Sequence, residues 1–433
     1  MAADAETIDP RDAERLYRQA LVRTSMGSRR SKSGANNSNV PINGLCIRIA
    51  KNNDWVPMTQ SPYSESVIHH LLENLRGDVP SLLYTDPHGR FMIQKWEQVQ
   101  QLSRFATDPG TRRQNYDRIP RRYFERVAHL WRRIQEIPVV TPADARLPSA
   151  LGTMLEKFGP PDSNPPAHMP ATHAEYNDLV ARDVAARFQM IREINPECVD
   201  YMAGRFGYPE HPERYVESAL ENMAETPLAL AHADLHSQNL GVKNGRDWEP
   251  FFFDLESVGP MPPCRAVATV IVGGDDLSES KTSEIIAVHE QAAPRHLQTN
   301  FRRDVQAWVQ ANAIQTAIQR FQNTVEAVER NAGRSSLGLV VAKQAPWLAF
   351  RVNSVSGFWG APRVDEKFVA DTLRTAAEIC GSGKKSSLAV AYGFGPALGT
   401  RTTLAVTPDR RPAPPPAQRY QRAPTLGLRL SRM

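Results

Sequence analysis

The sequence predicts an α+β fold in two lobes: a small antiparallel-sheet lobe over residues 1–97, a larger and mainly helical lobe over residues 98–380, and a basic, Pro-rich tail over residues 381–433. Three observations carry this expectation. In the first lobe short apolar stretches alternate with period two and are separated by turn formers. From about residue 120 the apolar residues recur three and four apart, the spacing of helix faces. Between residues 228 and 256 short apolar strands bracket a loop rich in Asp, His and Asn.

Taken in order, residues 25–39 hold ten Ser, Gly or Asn among fifteen, a composition that suits either a flexible linker or a loop laying backbone donors over an anion. Leu45-Cys46-Ile47-Arg48-Ile49 alternates as a strand does, with Cys46 and Arg48 on one face and Lys51 just past its end. Val67, Ile68, Leu71 and Leu72 then mark one face of a helix that begins near Ser61, with Glu65 in its first turns. A Glu there either pairs with a cation across the lobe or faces solvent near the positive helix end. Residues 79–84 and 91–96, joined by Asp86-Pro87-His88-Gly89, form a hairpin. Helices are expected over 120–136, 172–194, 211–225, 283–331 and 365–380. Pro160-Pro161 and Pro165-Pro166 make 138–171 a loop.

The chemistry-bearing residues lie in His232-Ala233-Asp234-Leu235-His236-Ser237-Gln238-Asn239 and, fifteen residues on, Asp254. Phosphoryl transfer asks a protein for a positioned hydroxyl and for charge neutralisation more than for covalent help. Asp234 can accept or orient a hydroxyl, while Asn239 and Asp254 supply an amide oxygen and a carboxylate, the hard oxygen ligands that a nucleotide-bound magnesium takes from a protein. Asp and Asn are also ordinary turn formers. The flanks distinguish this loop from such a turn: Leu228 to Ala231 enter it as a strand, Leu240 to Val242 leave it, Asn244-Gly245 turns, and Phe251 to Phe253 return.

The run from Leu228 to Glu256 resembles the catalytic core of the aminoglycoside phosphotransferase and choline kinase-like family, whose loop is often H-x-D-L-H-x-x-N and whose metal-binding motif is Asp-aromatic-Glu, here Asp254-Leu255-Glu256. The resemblance implies a protein-kinase-like fold, ATP and Mg2+ as cofactors, and a small-molecule hydroxyl substrate such as an aminoglycoside or an amino alcohol. It implies Asp234 as the catalytic residue and Asn239 and Asp254 as metal ligands, with His232 bracing the loop and His236 approaching substrate or phosphate. Arg48 stands where the family has its phosphate-binding lysine, Lys51 being the alternative, and Glu65 would pair with Arg48. Residues 25–39 would cover the nucleotide, and Gln94 to Glu97 would form the hinge behind the adenine. Two departures stand out: arginine replaces the phosphate lysine, and Pro263 to Ala268 lacks the Asp that commonly follows the metal ligand by some ten residues.

Composition is compatible with this. No apolar run of 18 residues is present and no segment at the start has the form of a signal peptide, so a soluble, cytoplasmic protein with no membrane partner is expected. Cys46, Cys198, Cys264 and Cys380 are scattered, which fits reduced thiols. The net charge of +5 is concentrated in the tail, where nine Lys or Arg stand against Asp409 alone; the balance of +8 leaves −3 on residues 1–380, and nucleic acid is not an expected partner. Six prolines between 408 and 424 make disorder the expectation for that tail. Two other classes stay open. A protein kinase is disfavoured because the nearest match to an Ala-Pro-Glu after Asp254 is Ala293-Pro294-Arg295, and a silent scaffold because Asp234, Asn239 and Asp254 are all present. Asp275, Asp276 and Glu279 are candidates for meeting a cationic substrate. Oligomeric state is not indicated.

Overall fold

The computed structural model describes residues 8–25, 32–33, 37–50, 65–139, 170–243 and 247–382, apart from residues 89, 111–112, 171, 224 and 276. The chain divides into two compact units, one made of residues 1–184 and 213–315, the other of residues 185–212 and 316–433.

The first unit opens with a five-stranded antiparallel sheet in the order β1-β2-β3-β5-β4, formed by β1 (Lys32–Ser33), β2 (Asn37–Ile42), β3 (Leu45–Ala50), β4 (Leu82–Thr85) and β5 (Phe91–Lys95). Asn43 and Gly44, both with positive φ of 49° and 77°, make the two-residue turn between β2 and β3 that a right-twisted hairpin favours. In the register Ile47 faces Ile93 and Ile49 faces Phe91, while Cys46 faces Gln94 and Arg48 faces Met92. Because side chains alternate across a pleat, the first set is apolar and the second carries the polar groups. Helix α1 (Pro10–Ser25) covers the apolar face with Ala13, Leu16 and Ala20, and Tyr17 stacks on Phe91 at 4.4 Å. Helix α2 (Glu65–Leu71) brings Glu65 and His69 to Arg48 and Gln94, the polar set.

The segment over residues 25–39 differs from the expected continuous loop. Its end is strand β2 and its middle contains β1, because Asn37 to Ile42 pair with Leu45 to Ala50 along their whole length. Residues 26–31 and 34–36 lie outside the described residues, as do Lys51 and the turn residues Asn244 and Gly245.

From β5 the chain passes through Trp96, whose N–H donates to Gly44 O at 2.9 Å, into β6 (Val99–Gln101). That strand pairs with the hairpin of β8 (Leu240–Lys243) and β9 (Glu249–Phe252), and β7 (Ala229–His232) pairs with β10 (Val258–Met261). The short α3 (Ser103–Ala106) precedes α4 (Arg121–Gln135), which supports both small sheets. Tyr123, Phe124, Val127, Leu130, Trp131 and Ile134 form its buried face. Full burial of such side chains contributes about 2 kcal/mol each. Tyr123 Oη donates to Gly241 O at 3.0 Å and Trp131 Nε1 to Pro263 O at 3.2 Å, which fixes the helix against the segments carrying the loop.

Helices α5 (His173–Ile194), α6 (Pro196–Phe206) and α7 (Glu213–Leu220) follow α4; α8 (Pro263–Gly273), α9 (Glu279–Ala292), α10 (Arg295–Gln298), α11 (Phe301–Asn331), α12 (Leu337–Trp359) and α13 (Glu366–Ser382) follow β10. The expected helix over 211–225 is shorter, and the stretch 283–331 is broken at Ala293-Pro294, where proline removes a donor that the helix needs. In the second unit α13 packs on both α6 and α12, and Tyr208 stacks on Phe321 at 4.7 Å. Gly207, at φ 71°, ends α6; a Cβ there would stand 2.5 Å from Ala361 Cβ, so only glycine fits. Among the described residues no helix is long and apolar enough to cross a membrane.

Candidate functional site

All site residues within the described part belong to the first unit. The loop after β7 is built by its own hydrogen bonds. His232, buried, accepts the Asp234 N–H on Nδ1 at 3.1 Å, so its proton sits on Nε2 and is donated to Phe253 O at 2.9 Å. Burial pushes its pKa down, which keeps the ring neutral and able to play both roles. Asn239 O accepts the Phe253 N–H at 2.8 Å, and Ala233 N donates to Ser257 O at 2.9 Å. These bonds lock the loop to the segment that carries Asp254. The bracing role expected of His232 is the one observed.

Asp234 is held by one oxygen. Its Oδ2 accepts from Asn239 Nδ2 at 3.0 Å and lies 3.4 Å from His236 Nε2; Asn239 Nδ2 also donates to Asp234 O at 2.9 Å. The Gln238 N–H donates to His236 Nδ1 at 3.1 Å, so the His236 proton faces Asp234. Burial would raise the Asp234 pKa, but the His236 bond and charge, His232 and the Asn239 bond together hold it below the ordinary carboxylate range. Burial would likewise lower His236, and Asp234, Asp254 and Asp275 outweigh it, so its pKa is raised. Asp234 remains 45% exposed, with Oδ1 turned to no protein donor among the described residues. An anchored carboxylate with one open oxygen can orient a hydroxyl.

Asp254 adopts φ 54° and ψ 59°, left-handed backbone that Asp tolerates better than most residues and that costs about 1 kcal/mol. It ends β9 abruptly before the turn Leu255–Ser257 and directs its carboxylate at β3. Arg48 Nη2 stands 2.9 Å from Glu65 Oε2 and 3.4 Å from Asp254 Oδ1. Glu65 is 2% exposed. Burial alone would raise its pKa, and Arg48 with His69 reverses that to a net lowering. Arg48, Glu65, Asp234, Asn239 and Asp254 are therefore joined in one connected arrangement, and Lys51 lies outside the described residues. Of the acidic candidates for a cationic substrate, Asp275 is buried and accepts the Gln114 N–H at 3.1 Å, Glu279 is exposed, and Asp276 is outside the described residues.

Among the described residues no three His, Cys, Asp or Glu side chains cluster as a metal cage. The donor set does fit a cation shared with phosphates. Asn239 spends its amide nitrogen on Asp234 and leaves Oδ1 without a protein donor among the described residues, and Asp254 adds a carboxylate.

Sequence reasoning missed His69 and gave Gln94, the last but one residue of β5, only a place in the hinge. Gln94 Nε2 lies 2.8 Å from His69 Nε2, and His69 Nε2 lies 3.8 Å from Glu65 Oε1. The four-residue spacing of Glu65 and His69 was a usable signal.

No protein-family model matches the chain, and no curated protein is detectably similar to it. Solved structures are similar in architecture. A choline/ethanolamine kinase family protein from Mesorhizobium loti is 14% identical, with 84% of this chain and 99% of that one covered and a TM-score of 0.41. Macrolide 2'-phosphotransferase from Brachybacterium faecium is 11% identical, with 82% and 100% covered and a TM-score of 0.43. The GDP complex of aminoglycoside 2'-phosphotransferase-IIIa is 14% identical, with 80% and 98% covered and a TM-score of 0.42.

Proposed function

We propose that this chain is a small-molecule kinase of the aminoglycoside phosphotransferase and choline kinase-like type, which moves the γ-phosphoryl group of ATP onto a hydroxyl of a small molecule. One observation carries the reading: a half-exposed carboxylate, Asp234, is anchored through a single oxygen in a loop tied by backbone bonds to the residues flanking Asp254, which touches the buried Arg48–Glu65 pair. Donors for phosphate, ligands for a cation and an acceptor for a hydroxyl proton thus converge.

Arg48 binds the triphosphate, and Glu65 holds its guanidinium in place. Asn239 Oδ1 and the Asp254 carboxylate would hold Mg2+, which would supply charge neutralisation to the nucleotide's phosphates. Asp234 orients the acceptor hydroxyl with Oδ1 and receives its proton late, as suits a carboxylate of lowered pKa in a loose transition state. The acceptor is a hydroxylated metabolite or antibiotic.

The test is a screen of hydroxylated metabolites and aminoglycosides for acceptor-stimulated, Mg2+-dependent ADP release, with the product identified by phosphorus NMR. A phosphate ester on one acceptor, lost in Asp234→Asn, is expected. A purified protein that binds nucleotide yet phosphorylates only peptides would favour the protein-kinase reading, and one that binds no nucleotide would leave a scaffold.

A further inference from the structure

We propose that His69 and Gln94 form a positioning relay, which sets how firmly Glu65 holds Arg48 and so ties the phosphate grip to the strand end that leads out of the first sheet. The proposal rests on the reading of Arg48 as the phosphate-binding residue.

The relay follows from register and helix period. β3 and β5 place Cys46 opposite Gln94 and Arg48 opposite Met92, so Arg48 and Gln94 share one face of the sheet. α2 offers Glu65 and His69 one turn apart to that face. The result is a continuous series: Gln94 Nε2 to His69 Nε2 at 2.8 Å, His69 Nε2 to Glu65 Oε1 at 3.8 Å, Glu65 Oε2 to Arg48 Nη2 at 2.9 Å, and Arg48 Nη2 to Asp254 Oδ1 at 3.4 Å. Gln94, His69, Glu65 and Arg48 are each buried.

Burying so many polar groups under a small helix is costly where apolar side chains of the same volume would pack. If the only task were to cover the sheet, leucine and methionine would serve at 69 and 94. The geometry assigns a different task. One ring atom, His69 Nε2, faces two partners, and the orientation of the Gln94 amide sets whether that atom carries the ring proton. With the Gln94 amino group donating to Nε2, the ring gives Glu65 no hydrogen bond and the carboxylate charge is directed to Arg48. With the amide turned over and the ring proton moved from Nδ1 to Nε2, Nε2–H donates to the Gln94 oxygen and its positive end also faces Glu65 Oε1 at 3.8 Å, which draws carboxylate charge away from Arg48. Gln94 precedes Lys95, the last residue of β5, and Trp96, which starts the connection to β6, so a shift of this strand end would carry the amide, and through it the guanidinium.

The contact is made by Nε2, so His69→Gln, whose terminal amide reaches that point, is expected to keep nucleotide affinity within about twofold of the parent. His69→Asn, which stops at the position of Nδ1, and His69→Leu are expected to weaken it roughly tenfold, a change of about 1.4 kcal/mol. A structural role alone would make Leu as good as Gln. The readout is the dissociation constant of a fluorescent ATP analogue, measured with Mg2+ on full-length protein whose melting temperature is recorded alongside. Gln94→Met, which conserves volume on the sheet, provides a second variant should a substitution at 69 not fold. In a double-mutant cycle with Arg48→Lys, the losses from Gln94→Met and His69→Leu should be strongly non-additive. Tight nucleotide binding by the parent with additive losses, or Leu equal to Gln at 69, overturns the relay and leaves the kinase reading intact. No nucleotide binding by the parent overturns both.

Discussion

The two halves of the site are held by opposite means. Arg48 and Glu65 come from elements that approach only when the sheet and α2 pack, and they are sealed. Asp234, His236 and Asn239 come from one loop and bond to one another within five residues, and Asp234 and His236 stay partly open while Asn239 is buried. The first half is a stored charge pair whose worth depends on tertiary packing, and the second is a local turn whose worth depends on exposure. Removing a partner should therefore damage folding in the first half and chemistry in the second.

The largest expected effect tests the point where the halves meet. Asp254→Ala removes the carboxylate that touches Arg48 and that we propose as a metal ligand, and turnover should fall below detection while the circular dichroism spectrum stays that of the parent. Undiminished activity would refute the metal assignment. Next in size is Asp234→Asn, which keeps the shape of the loop. Its transfer rate should drop by roughly two to four orders of magnitude with nucleotide affinity within a small factor, and its melting temperature should hardly change.

Arg48→Met should do the reverse in stability. It leaves Glu65 buried without its cation, a loss on the order of 3 kcal/mol by urea unfolding, because a broken buried pair strands a charge. Arg48→Lys should recover much of that stability while still costing nucleotide affinity, since lysine offers a point charge rather than a planar fork. Lys51→Ala, measured alongside, should be nearly neutral in both. An equal loss from Lys51→Ala would transfer the phosphate grip to that residue.

What the sequence revealed divides along the same line. The loop was legible because its hydrogen bonds are local: Asp234, His236 and Asn239 can be spaced by eye, and β8 and β9 are flagged by Asn244-Gly245 and the Phe run. Strand β3 and helices α4, α5 and α13 followed from periodicity. The meeting of Glu65 with Arg48 was legible only through the family resemblance, and His69 with Gln94 was not, since 25 residues and a helix packing separate them. Helix α1 escaped notice although Asp9 caps it, taking the Arg11 N–H at 2.8 Å, and Ala13, Leu16, Tyr17 and Ala20 mark one face. The interior Pro346 obscures α12, and Val258-Gly259-Pro260-Met261 looks like a turn rather than the strand partner of β7.

The smallest expected effect concerns the open half alone and follows from protonation. The His236 pKa is raised by Asp234 and its neighbours, so the protonated ring is favoured in the folded protein. A raised value contributes stability that is fully present below the ordinary histidine range, near pH 6.5, and is lost as pH rises through the folded value. Asp234, being lowered, contributes stability above the ordinary carboxylate range and loses it as pH falls through its own folded value. Between these limits the pair is charged on both sides. Because both side chains are a third or more exposed, the pair should be worth no more than about 1 kcal/mol. The melting temperature of the parent should therefore exceed that of His236→Gln slightly at pH 6, and the gap should close by pH 9. A gap that widens with pH would mean that the ring is held neutral, and the proton now assigned to the Asp234 side would have to be placed elsewhere.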